Sequence, residues 1–439
     1  MKNLNKYLYL LLAGLFLFPA CETDFPNPNA PTDEQVLNTR EGLLALSVGI
    51  KQLYSTSGLR FIIETPAITT REGGITTTFQ NMIELEDGAS DLPNFNSNTS
   101  GLWSTLMRVM VMSDDLIENA QMVDLDNDTR NAMTAYGHLV KAMCIGALAQ
   151  NYEQVIVQPS PNNDAQFVSR QDAYAEAIRL LDQASGISSN PPSDFSTTVL
   201  QGLDLENSIN AYLARYNLFA GNYDAAISAA NQVDRSVASI FEYDILNPNP
   251  IWGRVIQNNA PNFKPRDNFG LPEFFVFDAN DGRLSFYLIA LDENNQNGLP
   301  IEDINGFFQT DTEPIPVYLP GEMDLIIAEA EARRGSNLDA AITALDAVLT
   351  KSDDAFGINA GLSAYSGERT AEAVLLEIFK NRRAELFLTG VSLEDSRRFG
   401  RPQPSPTPMT FTDERNRNFY PYPLRERSNN PNTPADPSI

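Results

Sequence analysis

The sequence predicts a mainly α-helical protein, in which tetratricopeptide-type helix pairs form the scaffold and a loop-rich insertion contributes short strands. The first observation behind this prediction is a helix that the chain repeats three times. In each copy apolar residues recur at spacings of three and four, which places them on one helical face, and small residues on that face allow a second helix to pack closely. The copies are residues 174–184 (YAEAIRLLDQA), 223–233 (YDAAISAANQV) and 338–348 (LDAAITALDAV).

The second observation is that a helical segment and a glycine turn precede the second and third copies. Residues 212–220 lead into Gly221, and residues 325–334 lead into Gly335. Glycine is common directly after a helix because it adopts the left-handed conformation without strain. One helix pair cannot bury its apolar faces alone, so we expect the pairs to stack. The predicted units span about 132–187, 205–234, 321–350 and 370–400.

The third observation is a long stretch without helical periodicity, residues 237–320, between the second and third copies. It is rich in aromatic residues amid Pro, Asn and Gly, and its runs at 273–277 and 284–288 predict short strands. Loops on a rigid scaffold commonly carry binding residues, and aromatic faces stack on sugar rings. The insertion is therefore a predicted ligand face. The alternative is that most of its rings simply cover the helices.

The N-terminus predicts export and lipid attachment. Lys2 and Lys6 precede the mostly apolar residues 7–20, a stretch that is too short to span a bilayer but typical of a signal peptide. A small residue directly before Cys21 resembles the bacterial lipobox, which predicts a lipoprotein signal peptide over 1–20 and acylation of Cys21. The alternative is ordinary signal cleavage, with Cys21 left as a free thiol.

The residues after Cys21 predict a tether followed by one domain. Three prolines between positions 26 and 31 prevent a helix and indicate an extended, lipidated tether over 21–32. The folded domain is predicted over 33–439. The net charge of −26 argues against nucleic acid as a partner, because a phosphate backbone attracts basic surfaces. With two cysteines there is no disulfide framework, and Cys144 is expected to be a small buried hydrophobe.

The chain carries no recognisable catalytic motif. Its single histidine, His138, lies on an apolar helical stretch and is expected to be a core residue with its hydrogen bonds satisfied. One histidine excludes HExxH zinc sites, and a hydrolytic triad would need His138 to be exposed. The GxSxG, P-loop, GxGxxG and CxxC patterns do not occur. Paired carboxylates, as in glycoside hydrolases, remain open, because spacing along a sequence does not reveal them. We predict no catalytic residue.

Three alternating aspartates, Asp124, Asp126 and Asp128, superficially match the start of a calcium loop. The calcium loop requires Gly at its sixth place and Glu at its twelfth, where this chain has Thr129 and Ala135. We therefore predict that Asp128 caps a helix and that the chain holds no metal or cofactor, although bound calcium stays open. Trp103, which opens the preceding amphipathic helix, is predicted to anchor the core.

Two segments in the C-terminal half resemble the third repeat of the SusD/RagB family. These are residues 315–318 (IPVY) and 322–330 (EMDLIIAEA), which lead through Gly335 into the third copy of the repeated helix. The family's C-terminal signature resembles residues 381–390 (NRRAELFLTG) and 394–400 (EDSRRFG).

The end of the chain, with YPYP at 420–423 and Asn430-Pro431, resembles the family's closing element. The sequence departs from the family pattern at three positions, where Glu, Glu and Arg are usual: Asn381, Thr389 and Ser392. The ordered set of motifs covers nearly the whole predicted mature chain and is more specific than any one of them.

The resemblance implies a SusD-like fold and a surface-exposed, lipid-anchored protein of the Bacteroidetes outer membrane. It implies a SusC-like TonB-dependent transporter as the partner, with the helix pairs facing that transporter. It also implies capture and delivery of a glycan or another nutrient, without catalysis. Three alternatives are a peptide-binding SusD-like lipoprotein, a repeat adaptor that binds no nutrient, and a glycoside hydrolase.

The ligand site of the family is built from loops before the Trp-led helix and from the insertion between the second and third repeats. No binding residue matches by motif, so the candidates come from composition in these two regions. The candidate ligand-binding residues are Arg71, Phe79, Phe95, Trp252, Phe263 and Phe269.

Overall fold

The computed structural model describes residues 37–187, 190–256, 260–406 and 411–439. The predicted signal peptide 1–20, the tether 21–32 and the lipidation site Cys21 lie outside the described residues. Where the chain is described it is mainly α-helical, with short two-stranded ladders, as the sequence predicts.

The first helices build one wall of the core. Thr39 caps α1, because its hydroxyl accepts a hydrogen bond from Gly42 N at 3.1 Å. A π-helical turn, Tyr54–Gly58, connects α1 to α2 and widens the helix locally. The elements in this part are α1 (Arg40–Leu53), α2 (Leu59–Thr69), β1 (Gly73–Ile75) and α3 (Gln80–Asp87).

Two long helices follow, α4 (Ser97–Met122) and α5 (Asn127–Asn151). Trp103 on α4 is buried, which confirms that it is a core residue. The residue that caps α5 is Asp126, not the predicted Asp128: Asp126 Oδ1 accepts from Thr129 N at 2.9 Å, whereas Asp128 already lies inside the first turn. By length and composition α5 could cross a membrane, but 94% of its most apolar window is buried, so it is a core helix.

Stacked helix pairs form the scaffold, and the aligned alanines of the three repeated helices (Ala177, Ala226, Ala341) are all fully buried. Glycine also permits close approach: a Cβ on Gly146 of α5 would lie 2.0 Å from the Tyr216 ring. The elements are β2 (Gln154–Ile156), β3 (Phe167–Ser169), α6 (Arg170–Ser185), α7 (Ser193–Thr198), α8 (Leu205–Ala220) and α9 (Tyr223–Gln232).

The insertion contains short strands and single helical turns. The predicted strand at 273–277 is irregular, and most of 284–288 is helical, because Asp281 caps a helix there by accepting from Arg283 N at 3.1 Å. The elements are β4 (Ile240–Phe241), α10 (Trp252–Val255), β5 (Phe263–Pro265), a 3₁₀ turn (Asp267–Gly270), α11 (Gly282–Tyr287), β6 (Leu288–Asn294), β7 (Pro300–Ile304) and β8 (Ile315–Pro316).

The strands pair antiparallel in four ladders: β1–β5, β2–β3, β4–β8 and β6–β7. The register of β1–β5 sets Ile75 opposite Phe263 and Gly73 opposite Pro265. This ladder joins the first half of the chain to the insertion, so it brings together the two regions in which the sequence predicts ligand loops.

The last part of the chain closes the scaffold. The helix α12 packs against α9, α13 and α14, whereas α15 packs against α2 and α5. Gly335 ends α12 in the left-handed conformation (φ 67°), as predicted. The elements are α12 (Pro320–Arg334), α13 (Leu338–Leu349), α14 (Ala371–Glu385), α15 (Ser392–Arg398) and α16 (Leu424–Asn429).

The charged residues of the C-terminal signature are buried in ion pairs rather than exposed. Arg382 Nε lies 2.8 Å from Asp395 Oδ2, and Arg398 Nη2 lies 2.6 Å from Asp395 Oδ1. Arg398 also pairs with Glu329 of α12. The signature therefore ties α14 and α15 to the third helix pair, and removal of one partner would leave a buried charge uncompensated.

Candidate functional site

Two of the predicted aromatic residues lie on the surface at the two ends of one short segment. Phe79 directly precedes α3 and is 58% exposed, and Phe95 directly precedes Asn96, the cap of α4, and is 65% exposed. The backbone around Phe79 is held in place, because its carbonyl accepts from Met82 N at 2.9 Å and Ile83 N at 3.1 Å. Both rings therefore project from defined backbone rather than from a loose loop.

Asn96 joins these two ends. Its Oδ1 accepts from Asn98 N at 2.9 Å and so caps α4. Its Nδ2 donates to the carbonyl of Asn81 and to Glu84 Oε2, each at 2.9 Å, and both of these residues lie on α3. Because Asn96 is fully enclosed, this arrangement fixes the position of Phe95 relative to Phe79.

The insertion contacts both α2 and α3 through Arg254. Trp252, which is half-buried, starts α10, and its backbone N donates to Asn249 Oδ1 at 3.1 Å. Arg254 on α10 donates Nη2–H to Glu64 Oε1 at 3.0 Å and lies 3.6 Å from the sulfur of Met82 on α3. The structure thus brings the elements that carry Phe79, Phe95 and Trp252 together. We call these three residues the aromatic face.

Amide side chains accompany the aromatic face. Asn81 Nδ2 donates to Asn98 Oδ1 at 3.3 Å, and Gln296 Nε2 donates to the carbonyl of Thr77 at 3.3 Å. Asn81 and Gln296 are not among the residues that the sequence predicts. For Gln296 the available signal was the run of amides at 294–297, because amides offer both donors and acceptors to a polar ligand, whereas no such run surrounds Asn81.

Arg71 lies away from the aromatic face. It is near the Gly73–Pro265 end of the β1–β5 ladder, and not near the Ile75–Phe263 end. It is buried, has a left-handed backbone (φ 65°), and donates Nη1–H to the carbonyl of Glu86 at 2.7 Å. Its guanidinium carbon lies 5.3 Å from the centroid of the Phe411 ring, and burial lowers its pKa to about 10. The neighbouring Gly270 has to be glycine, since a Cβ there would lie 1.8 Å from Arg71 O. Arg71 lines a cleft of about 730 Å³ with Arg266 and Phe274, away from the aromatic face.

Phe263 and Phe269 were predicted as ligand-binding residues, and the structure corrects this prediction. Both rings are fully buried and present no surface to a ligand. Phe263 on β5 packs over Gly73, where a Cβ would lie 2.7 Å from the ring. Phe269 makes edge-on contacts with the rings of Phe277 and Phe387. Their place in the core follows from strand pairing and ring packing with residues distant in sequence, which composition does not reveal.

The described residues assemble no hydrolytic triad around His138, whose surroundings are those of a core helix. His138 is half-buried, and its Nδ1 has no hydrogen-bond partner, so the prediction of a satisfied core histidine is wrong in that detail. Burial, reinforced by Arg179 and Lys141, lowers its pKa to about 4. In the same described part of the chain, no group of three or more His, Cys, Asp or Glu side chains is placed to hold a metal ion.

Solved structures show which fold this arrangement is similar to. A SusD superfamily protein from Bacteroides thetaiotaomicron superposes with a TM-score of 0.69 at 17% identity, covering 91% of this chain and 100% of the other. A SusD superfamily protein from Bacteroides vulgatus gives 0.68 at 15% identity, with 91% and 99% covered. A SusD-like carbohydrate-binding protein from Bacteroides fragilis gives 0.66 at 13% identity, with 90% and 99% covered.

Sequence comparisons alone do not find this likeness, since no family model and no curated protein matches the chain. The structural likeness spans nearly the whole of both chains. The chain therefore has the SusD-like fold, which confirms at the level of the fold the resemblance seen in its motifs.

Proposed function

We propose that this protein is a cell-surface nutrient-binding lipoprotein, which captures a glycan at the aromatic face and passes it to a SusC-like TonB-dependent transporter in the outer membrane. The observation that carries the proposal is the placement of Phe79, Phe95 and Trp252 on mutually braced elements of a SusD-like fold. The exposed rings of Phe79 and Phe95 and the half-buried ring of Trp252 offer flat apolar surfaces to the C–H faces of sugars.

Two carboxylates beside the proposed site have structural partners, which supports a binding role. Glu84 near the two rings accepts from Asn96, and Glu64 is engaged by Arg254, so both carboxylates hold the loops in position. The proposed role is capture without catalysis. The similarity to a protein described as a SusD-like carbohydrate-binding protein supports a glycan as the ligand class.

Attachment through Cys21 and the tether would hold the domain at the outer surface of the membrane. A tether would let the domain meet both its ligand and its partner at high effective concentration. The stacked helix pairs offer a continuous surface for docking on the transporter, as solenoid surfaces commonly do.

The experiment that tests the proposal is a screen of the purified full-length protein against polysaccharides, oligosaccharides and peptides, with binding and product release followed together. Phe95→Ala is expected to weaken glycan binding about tenfold, because a stacking surface is lost. Phe274→Ala is the matched control: Phe274 is also 65% exposed, but it lies beside the Arg71 cleft, and its loss should leave binding unchanged.

Each outcome of the screen has a defined meaning. Glycan binding without cleavage, sensitive to Phe95 and not to Phe274, supports the proposal. Release of sugar products would instead indicate a glycoside hydrolase. Binding of peptides alone would change the ligand class, and binding of the transporter with no nutrient at all would indicate an adaptor.

A further inference from the structure

A groove of about 350 Å³ lies next to the aromatic face and is not part of the predicted site. One wall is α16 with the preceding Pro423, and the other is the loop between β2 and β3. Its accessible apolar lining is formed by Met107 and Pro159, which are half-buried, whereas Trp103 and Ile156 also border the groove but are almost wholly enclosed. Its volume falls in the range of natural small-molecule sites.

The groove lies within reach of Phe95, although Phe95 does not line it. Leu424 N donates to the carbonyl of Asn94 at 2.9 Å, so the start of α16 is bonded to the loop that carries Phe95. Because Asn94 adjoins Phe95 and Leu424 adjoins Arg425, the Cα atoms of Phe95 and Arg425 lie at most about 14 Å apart. A ligand that stacks on Phe95 can therefore reach the groove if it is extended.

The shape of the groove is held by polar contacts across its base. Trp103 Nε1 donates to Glu426 Oε2 at 3.2 Å, and Asn430 Nδ2 donates to Glu426 Oε1 at 2.9 Å. The same amide nitrogen donates to the carbonyl of Ala165 at 3.0 Å, which joins the two walls. Both oxygens of Glu426 are thus engaged inside the protein, and the groove is organised before any ligand arrives.

In contrast, the rim carries polar side chains without partners in the described chain. The guanidinium of Arg425 makes neither an ion pair nor a hydrogen bond there, whereas its neighbour Arg427 pairs with Asp436 at 2.6 Å. Asn429 lies one turn after Arg425, on the same side of α16, and Asn163 faces them from the other wall. These groups offer five guanidinium donors and two complete amides, the set that hydroxyl-rich ligands require.

We infer that this groove is an extension subsite, so that the ligand is an oligosaccharide long enough to run from the aromatic face to Arg425 and Asn429. The inference rests on the proposed function and adds a length requirement to it. An apolar lining for the C–H faces of a sugar, beneath amides and a guanidinium for its hydroxyls, is the combination that binds carbohydrate. A short ligand held at Phe95 alone would leave the groove unused.

The test is a titration of the full-length protein with malto-, cello-, xylo- and fructo-oligosaccharide ladders, from disaccharides upwards. The affinity of the unaltered protein is expected to rise with chain length. In the double variant Arg425→Ala/Asn429→Ala, the gain on going from short to long chains should shrink about tenfold. Arg179→Ala is the matched control, since that arginine lies on the outside of α6 and pairs with Glu176.

Tryptophan fluorescence provides an independent readout. The chain has two tryptophans, Trp103 and Trp252. Because Trp252 belongs to the aromatic face, Trp252→Phe keeps an aromatic ring there, and its affinity for short glycans has to match that of the unaltered protein before the one remaining indole, that of Trp103 at the groove, serves as the probe. Long oligosaccharides are expected to change its emission, and disaccharides are not. This signal depends on occupancy of the groove rather than on the stability of the variant.

The outcomes separate the subsite from the proposed function. Glycan binding that depends on Phe95, but has the same length dependence in the double variant and no change in Trp103 emission, would overturn the subsite alone. A lack of binding to any glycan, or binding of peptides only, would overturn the proposed function and this inference with it.

Discussion

Arg215 and Glu322 form a buried ion pair with two hydrogen bonds, one from Arg215 Nε to Glu322 Oε1 and one from Nη2 to Oε2, each 2.6 Å long. Arg215 lies on α8 and Glu322 on α12, so the pair joins the second and third helix pairs across the whole insertion. The insertion can thus carry irregular loops while the helices on either side of it remain attached to each other.

Removal of Glu322 should therefore destabilise the protein strongly. Glu322→Ala leaves the guanidinium of Arg215 buried without a counter-charge, and we expect the free energy of unfolding to fall by about 3–5 kcal/mol in urea titrations. The double variant Arg215→Met/Glu322→Leu removes both charges and should recover most of that loss. Arg369→Ala breaks an exposed pair with Asp339 and should cost less than about 1 kcal/mol. Equal effects of Glu322→Ala and Arg369→Ala would contradict this account.

A second prediction concerns the contact between α5 and α8. A Cβ on Gly146 would lie 2.0 Å from Cζ of Tyr216, whose side chain is fully buried and whose hydroxyl donates to the carbonyl of Met143 at 3.2 Å. We expect Gly146→Ala to lower the free energy of unfolding by about 2 kcal/mol, despite the better helix propensity of alanine. Gly186→Ala is the control, because a Cβ there meets its neighbours at ordinary distances of 3.4 Å or more. Similar melting temperatures for the two variants would show that the helices can separate at little cost.

We expect the free energy of unfolding to depend on pH through the single histidine, His138. Burial lowers the pKa of His138 to about 4 from its usual 6.5, so the folded state holds it neutral while the unfolded chain takes up a proton first. Its contribution to stability is complete above about pH 6.5 and is lost as the pH falls towards 4. Because the ring is only half-buried, we expect His138→Gln to flatten the stability profile over this window by about 1–2 kcal/mol.

The same residue offers a direct measurement. Since the chain contains one histidine, NMR of histidine-labelled protein without a purification tag gives one imidazole titration curve. A midpoint near pH 4 agrees with the burial seen here, whereas a midpoint near 6.5 would mean that water reaches the ring freely.

The predicted lipid anchor can be tested apart from the fold. Cys21→Ala should leave the folded domain intact, since Cys21 precedes the described helices, but should move the protein from the membrane to the soluble fraction and abolish labelling with a fatty-acid analogue. Cys144→Ala is the control, because Cys144 is fully buried in the core and should not carry the label. A Cys21→Ala variant that remains attached to the membrane would contradict lipidation at this residue.

The exposed and buried aromatic residues show where prediction from the sequence stops. Phe79, Phe95, Phe263 and Phe269 all lie in loop-rich, polar surroundings along the chain, and nothing local distinguishes them. The first two are exposed, and the last two are core residues, because Phe263 is opposite Ile75 in a ladder and Phe269 packs against Phe387. Burial of a ring in a loop is decided by such distant partners.

By itself the sequence determined the helix pairs, their glycine turns, the core position of Trp103 and the fold that the C-terminal motifs resemble. These features follow from the spacing of apolar residues, the size of side chains and the backbone preferences of residues such as glycine, all of which are properties of short segments. Only the tertiary structure decided that Arg71 lies apart from the aromatic face, that Asp126 caps α5, and that Arg425 borders a groove beside Phe95. The physical reason is that each depends on which segments meet in space, and hydrogen bonds between distant segments, such as the one from Leu424 to Asn94, leave no local pattern in the chain.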